Sequence, residues 1–129
     1  MVRPRLLLGV DLGTTATKAA LYRPDGTLVA EARAEVPIRH LRPGWVEQDA
    51  NDFYQTAAGA VRDCLAGCRV DPAEIAGVAF DSQMAGLGTI DERFQPATPF
   101  DSWLDMRCQP YIEELNRDHA ERITALTGC

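Results

Sequence analysis

The segment from residue 9 to residue 18, GVDLGTTATK, contains the residue types that bind phosphate groups. After an apolar run it places a carboxylate, a glycine, two hydroxyls and an ammonium group close together: Asp11, Gly13, Thr14, Thr15 and Lys18. Glycine lets a turn expose consecutive backbone N–H groups, and the threonines add hydroxyl donors. The segment therefore predicts a cradle for phosphate oxygens, with Lys18 as an added positive charge.

Asp11 sharpens this prediction. A carboxylate beside a phosphate is repelled unless a magnesium ion stands between them, directly or through its water shell. The segment thus predicts a metal-bound polyphosphate, with Asp11 facing the magnesium. The alternative is a hairpin turn in which Asp11 only accepts a hydrogen bond from its own backbone. A simple turn explains Gly13, but not why so apolar a strand ends in a carboxylate beside two hydroxyls.

Three antiparallel strands are predicted around this turn, over residues 6–11, 17–22 and 28–36, with a hairpin signal in the RPDGT segment. Residues 40–52 are predicted as a loop whose acidic residues begin a helix. One apolar face of that helix recurs at helical spacing and is expected to pack on the sheet: Phe53, Ala57, Val61, Cys64 and Leu65.

A second apolar strand, IAGVAF, ends abruptly in the polar residues Asp81, Ser82 and Gln83. In α/β sheets, ligands bind at the ends of such buried strands. Two short helices are predicted to follow, over residues 108–117 and 120–127, with Gly128 as the stop.

Composition narrows the class of protein. The length of 129 residues predicts one globular domain. The formal charge of -6 and the pI near 4.8 argue against nucleic-acid or anionic-membrane partners. No apolar run approaches a membrane span, and the N-terminal run is too short for a signal peptide. Reduced thiols in the cytoplasm are therefore expected for the four cysteines. Cys64 and Cys68 could share a helix face and bind a metal, but no second Cys or His pair has matching spacing.

The glycine turn and its hairpin resemble the first phosphate loop of the superfamily that includes sugar kinases, actin and chaperone ATPases. Three later segments resemble the FGGY carbohydrate kinases more narrowly: PGWVEQDANDFY, GVAFDSQMAG and FDSWLDMRC. The final ITALTGC is similar to a helix end in that family. The resemblance runs in order from about Leu6 to Cys129, and the chain is similar to the xylulose kinases.

This resemblance implies a ribonuclease H-like α/β fold of the actin-like ATPase superfamily, a mixed sheet with flanking helices. Residues 1–129 would form the early part of the first lobe of an enzyme that transfers the γ-phosphate of ATP to a sugar or polyol. The implied ATP-phosphate ligands are Gly13, Thr14, Thr15 and Lys18, with Asp11 at the magnesium. The implied sugar pocket is lined by Gln83, Met84 and Trp103, with Asp105 and Arg107 beside it. The catalytic base is expected beyond Cys129, so the isolated chain is expected to be inactive.

Each of these sugar-pocket residues has a structural alternative: Met84 as core filler, Trp103 as a buried aromatic, and Asp105 with Arg107 as a surface ion pair. Trp45, Glu47 and Gln48 are interpreted as structural. Ala85 departs from the xylulose kinases, which have a histidine there, and cannot form a side-chain hydrogen bond.

Two other functions stay open at this point: an actin-like or chaperone-like ATPase, and a stand-alone binding domain without catalysis. An apolar face left uncovered at the end of the chain also predicts association into a homo-oligomer.

Overall fold

The computed structural model describes residues 5–128 as two sheets and two long helices. The elements in chain order are β1 Leu6–Leu12, β2 Ala16–Tyr22, β3 Leu28–Glu35, β4 Arg39–Arg42, β5 Trp45–Gln48, α1 Ala50–Cys68, a 3-10 turn Pro72–Glu74, β6 Ile75–Ser82, β7 Phe100–Asp101 and α2 Gln109–Thr127.

The larger sheet has the strand order β3-β2-β1-β6. β1, β2 and β3 are antiparallel neighbours, whereas β6 runs parallel to β1. The predicted hairpin joins β2 to β3: Gly26 has a φ of 86°, and Asp25 accepts a hydrogen bond from the backbone of Thr27 at 2.9 Å. The α/β fold with a mixed sheet and flanking helices is therefore confirmed.

Helix α1 covers one face of the larger sheet. Asp49 caps it by accepting a hydrogen bond from the Asn51 N–H, as predicted for the acidic residues before this helix. The core between helix and sheet consists of small and branched apolar side chains: Leu6, Leu8, Val10, Ala19, Leu21, Ala60 and Cys64. Ala60 is fully buried although it was not among the predicted helix-face residues, while Ala57, Val61 and Leu65 pack around it at the edge.

The predicted loop over residues 40–52 is wrong. Residues 39–48 form the hairpin β4–β5, and β7 adds a third antiparallel strand to give the order β4-β5-β7. The Pro43-Gly44 pair does mark a turn, with Gly44 at a φ of 77°. The flanking strands are only four residues long, and β5 pairs with residues more than fifty positions away, so local sequence carries little of their signal.

The predicted pair of C-terminal helices is also wrong, because α2 is one helix over Gln109–Thr127. Residues 111–127 contain neither glycine nor proline, so nothing in the backbone stops the helix between its two halves. The stop at Gly128 is confirmed, since this residue has a φ of 75° and its N–H bonds to the Thr124 carbonyl.

Several large apolar side chains stay exposed on the far strand and on α2. Val78 and Phe80 of β6 are exposed, as are Tyr111, Ile112 and Leu115 of α2. Self-association through such a surface stays a prediction. Within residues 5–128 there is no helix with the length and apolar character needed to cross a membrane.

Candidate functional site

The glycine turn lies between β1 and β2 and is held tightly. A side-chain carbon on Gly13 would come within 2.9 Å of the Ala16 carbonyl oxygen, so the turn has no space for a larger residue. Asp11 near the end of β1 lies opposite Lys18 of β2, and Lys18 Nζ is 3.7 Å from the Asp11 carboxylate. Both side chains are about half exposed or more, at 48% and 64%. They are accessible to a ligand.

Asp11 is also the register partner of Asp81 at the end of β6. Because paired residues point to the same face of a sheet, both carboxylates flank one shallow depression of about 370 Å³. Residues 5–128 contain no cluster of three or more metal-ligating side chains. The two carboxylates of Asp11 and Asp81 nevertheless fit magnesium, which commonly takes one or two carboxylates and completes its shell with phosphate and water oxygens.

Thr14 connects the glycine turn to two residues of the predicted sugar pocket. Its hydroxyl donates to Gln83 Oε1 at 2.8 Å and accepts from Trp103 Nε1 at 2.8 Å. The three residues come from separate parts of the chain, with Gln83 following β6 and Trp103 following β7. One hydroxyl therefore joins the predicted phosphate end and the predicted sugar end.

Gln48 lies beneath this junction and is fully buried. Its Nε2 donates to the backbone carbonyls of Thr14 at 2.8 Å and Pro37 at 3.4 Å, and its Oε1 accepts from Gln83 Nε2 at 3.3 Å. Together with the Thr14 hydroxyl bond to Gln83, these contacts close a ring of three residues. Sequence reasoning identified Gln48 only as structural, because nothing local indicated a contact with the glycine turn.

The segment after Gln83 forms a tight loop. Met84 is 85% exposed, so it is not core filler, and Ala85 has a φ of 61°, a left-handed conformation that is uncommon for alanine. A side-chain carbon on Gly86 would overlap the ring of Phe100, so a larger residue at this position would displace that ring. The loop thus projects Met84 into solvent.

A second depression, of about 570 Å³, lies beside Trp103. Its lining includes Ala85, Trp103, Asp105, Arg107 and Tyr111. The structure therefore brings together three of the five residues predicted for the sugar pocket. Gln83 is connected to this depression through Thr14, and Met84 lies outside its lining.

Asp105 and Arg107 form a dense charged network. Arg107 Nε is 2.9 Å from each Asp105 carboxylate oxygen, and Arg107 Nη1 is 2.8 Å from Glu47 Oε1. Asp105 also accepts a hydrogen bond from the Val46 N–H at 2.7 Å. Hydrogen bonding to Arg107 lowers the pKa of the Asp105 carboxyl to about 2, and the same contact raises the pKa of Arg107 further above its usual range.

This network ties β5 to the segment after β7. The Arg107 guanidinium also lies 4.3 Å from the ring centroid of Trp45, against which Arg42 stacks at 3.4 Å. The structural interpretation of Trp45 and Glu47 agrees with these contacts. Asp105 and Arg107 are more than a surface pair, because the Asp105 side chain is only 8% exposed. Their contact with a sugar stays a prediction.

The described cysteines differ in burial, from the buried Cys64 to the exposed Cys108. Cys64 is buried, donates a weak hydrogen bond to the Ala30 carbonyl at 3.4 Å, and has a pKa raised by burial. Cys64, Cys68 and Cys108 carry free thiols, and Cys129 lies outside the described residues. The helix pair Cys64 and Cys68 is therefore accounted for by packing and backbone contacts.

Comparison with known proteins decides the family. Residues 6–129 match the N-terminal domain of the FGGY family of carbohydrate kinases. The chain belongs to this family. A glycerol kinase from Acaryochloris marina is 31% identical over 130 residues, covering 99% of this chain and 26% of that protein. A gluconate kinase and a xylulose kinase, both from Lactobacillus acidophilus, each superpose with a TM-score of 0.84 at 26% identity, covering 94% of this chain and 24% of theirs.

The predicted family and its ribonuclease H-like fold are thereby confirmed. This FGGY chain spans about a quarter of the length of the curated relatives it matches. The relatives and structural neighbours include kinases for glycerol, xylulose and gluconate, so the family does not single out one substrate. Family membership favours the carbohydrate kinase over an actin-like or chaperone-like ATPase and over a stand-alone binding domain.

Proposed function

We propose that this chain is the N-terminal part of an ATP-dependent kinase that transfers the γ-phosphate of ATP to a hydroxyl of a sugar or polyol. Membership of the FGGY carbohydrate kinases supports the reaction class. Because ATP is the proposed phosphate donor, the cytoplasm is the proposed compartment.

The observation that carries the proposal is the Thr14 hydroxyl, bonded at 2.8 Å to both Gln83 and Trp103. Phosphoryl transfer depends mainly on positioning and on stabilising charge, so the acceptor hydroxyl and the terminal phosphate must be held close together. A phosphate-type turn bonded directly to two candidate sugar ligands supplies that proximity.

On the phosphate side, the turn formed by Gly13, Thr14 and Thr15 would receive the terminal phosphate oxygens with its backbone N–H groups and the Thr15 hydroxyl, since the Thr14 hydroxyl donates to Gln83. Lys18 would contribute a positive charge, and Asp11 would hold the magnesium, directly or through water. Magnesium, when bound, would neutralise charge that develops on the phosphate oxygens. Asp11 and Lys18 are exposed enough to exchange their mutual contact for contacts with a ligand.

On the acceptor side, Gln83, Met84 and Trp103 would contact the sugar, with Asp105 and Arg107 beside it. Ala85 offers no side-chain hydrogen bond, so selection among sugars would depend on the amide, indole and charged groups around it. The catalytic base is proposed to lie beyond residue 129.

The direct test is to express the complete gene product that contains this chain and measure ADP release with magnesium across pentoses, hexoses and polyols. We expect one substrate class to stimulate ADP release strongly. The 129-residue chain alone is expected to be inactive, because a quarter of the length of such a kinase holds too few of the groups that position both substrates. A complete protein whose ATP turnover responds to no sugar or polyol contradicts the proposal.

A further inference from the structure

Both the nitrogen and the oxygen of the Gln48 side-chain amide are hydrogen-bonded within the protein. Its nitrogen donates to two backbone carbonyls, and its oxygen accepts from Gln83, while the side chain has no exposure to solvent. A buried amide whose two N–H donors and oxygen are all bonded constrains its partners strongly, because losing one contact leaves an unpaired polar group away from water. Its partners here are the glycine turn and a candidate sugar ligand.

The donors in the ring follow one another in a single direction. Gln48 donates to the Thr14 carbonyl, Thr14 donates through its hydroxyl to Gln83, and Gln83 donates back to Gln48. Trp103 adds a fourth bond by donating to the same Thr14 hydroxyl. Rotating or shifting Thr14 therefore breaks contacts with both candidate sugar ligands at once.

The backbone of Gln48 is held independently of this ring. β5 places Gln48 opposite Phe100 of β7, and Asp49 immediately after it caps α1. Gln48 therefore links the smaller sheet and the N-terminus of α1 to the turn at Thr14 through its side-chain hydrogen bond.

We propose that Gln48 is a positioning residue that fixes Thr14 relative to Gln83 and Trp103 and so aligns the phosphate-binding turn with the acceptor site. This inference rests on the proposed kinase function for its catalytic consequence, but its structural part does not. Gln48 is fully buried, so its proposed role is exerted through Thr14 and Gln83.

The test uses Gln48→Met, which keeps the length and approximate volume of the side chain and removes its amide contacts. The matched control is Thr56→Val, which removes a different hydrogen bond between elements, the 3.0 Å contact between Thr56 of α1 and Thr17 of β2, neither of which is a member of the ring. Both variants lose stability, so every rate is expressed per folded molecule, measured by circular dichroism.

The first readout is the indole N–H signal of Trp103 in NMR spectra of the 129-residue chain, assigned with Trp103→Phe. We expect Gln48→Met to shift this signal and to speed its hydrogen exchange about tenfold, the factor that corresponds to one lost hydrogen bond. Thr56→Val is expected to leave it in place. An unchanged Trp103 signal in folded Gln48→Met overturns the proposal.

The second readout is kinetic and uses the complete kinase. We expect Gln48→Met to lower kcat per folded molecule about 10- to 100-fold, because small misplacements of reacting groups cost that much, with a smaller change in the KM for ATP. A kcat within twofold of wild type overturns the positioning role. An inactive wild-type protein overturns the proposed function instead, and the indole signal still decides whether Gln48 positions Thr14.

Should Gln48→Met fail to fold, the wild-type chain supplies the test. The side-chain amide protons of Gln48 should exchange with solvent at a rate at least about tenfold lower than those of the exposed Gln55. Equal exchange rates for the two side chains overturn the proposal.

Discussion

Two ion pairs in this molecule each join an aspartate to a basic residue, but they differ in exposure and in the role that we assign to them. Asp11 and Lys18 approach to 3.7 Å, and both are about half exposed or more. Asp105 and Arg107 meet at 2.9 Å, with the Asp105 side chain only 8% exposed and both residues bonded to further groups of β5. An exposed pair contributes about 0–1 kcal/mol and is easily exchanged for other partners. The saturated pair serves to hold elements together, whereas the open pair is available to a ligand.

The sharpest test of this contrast is Asp11→Ala in the complete kinase. We expect turnover to fall about 100-fold or more, because the proposed magnesium site loses a charged group at a cost of several kcal/mol. Sugar affinity and the stability of the fold should change little, since Asp11 makes only an exposed ion pair. Steady-state kinetics and urea unfolding measure the three quantities.

Asp25→Ala is the matched control for that experiment. Asp25 is a turn carboxylate that accepts a hydrogen bond from the Thr27 backbone, which is the role that the simple-turn alternative assigns to Asp11. Its loss should lower stability slightly and leave turnover per folded molecule intact. Equal kinetic effects of the two substitutions contradict the assignment of Asp11 to the metal.

Trp103→Phe examines the acceptor side of the junction. The substitution keeps an aromatic ring but removes the donor to Thr14, and we expect the sugar KM to rise about tenfold, more than kcat falls. Trp45→Phe is the control, because Trp45 stacks with Arg42 and Arg107 instead. A larger kinetic effect at Trp45 than at Trp103 argues against this assignment.

Arg107→Gln tests whether the saturated pair, Asp105 with Arg107, stabilises the fold. The substitution leaves the Asp105 carboxylate without its main partner and releases Glu47, so we expect a clear fall in the melting temperature. Arg39→Gln, which removes ion pairs of a more exposed arginine with Asp49 and Asp52, should lower it less. A ranking in the opposite order contradicts the difference drawn between open and saturated pairs.

The pH dependence of stability gives the smallest expected effect. The pKa of Asp105 is lowered from its ordinary 3.8 to about 2 by Arg107, so its stabilising contribution is present above about pH 4 and is lost as the pH falls toward 2. Urea midpoints measured from pH 6 to pH 2 should fall less steeply in Asp105→Asn than in the wild type. Identical slopes contradict a stabilising role for the ionised carboxyl.

Some predictions from the sequence failed for identifiable reasons. The hairpin of residues 39–48 was missed because strands of four residues carry almost no periodic signal and because β5 depends on pairing with Phe100 and Asp101. The continuity of α2 was missed although the segment contains no residue that would stop a helix. In the first case the information was not local, and in the second the local sequence gave no reason to divide the helix.

The sequence by itself determined where the main strands lie along the chain, that an acidic residue caps α1, the glycine turn after Asp11 and the family to which these motifs belong. The strands, the cap and the turn depend on residues within about one turn or one strand of each other, so local spacing is enough to predict them. The family follows from several such local motifs in a fixed order along the chain. Only the tertiary structure decided that Thr14 meets Gln83 and Trp103, that Gln48 lies beneath that junction, and that Asp105 is locked to β5. These contacts join residues 34 to 89 positions apart, and a single hydrogen bond between such residues depends on how whole elements pack, which no local pattern records.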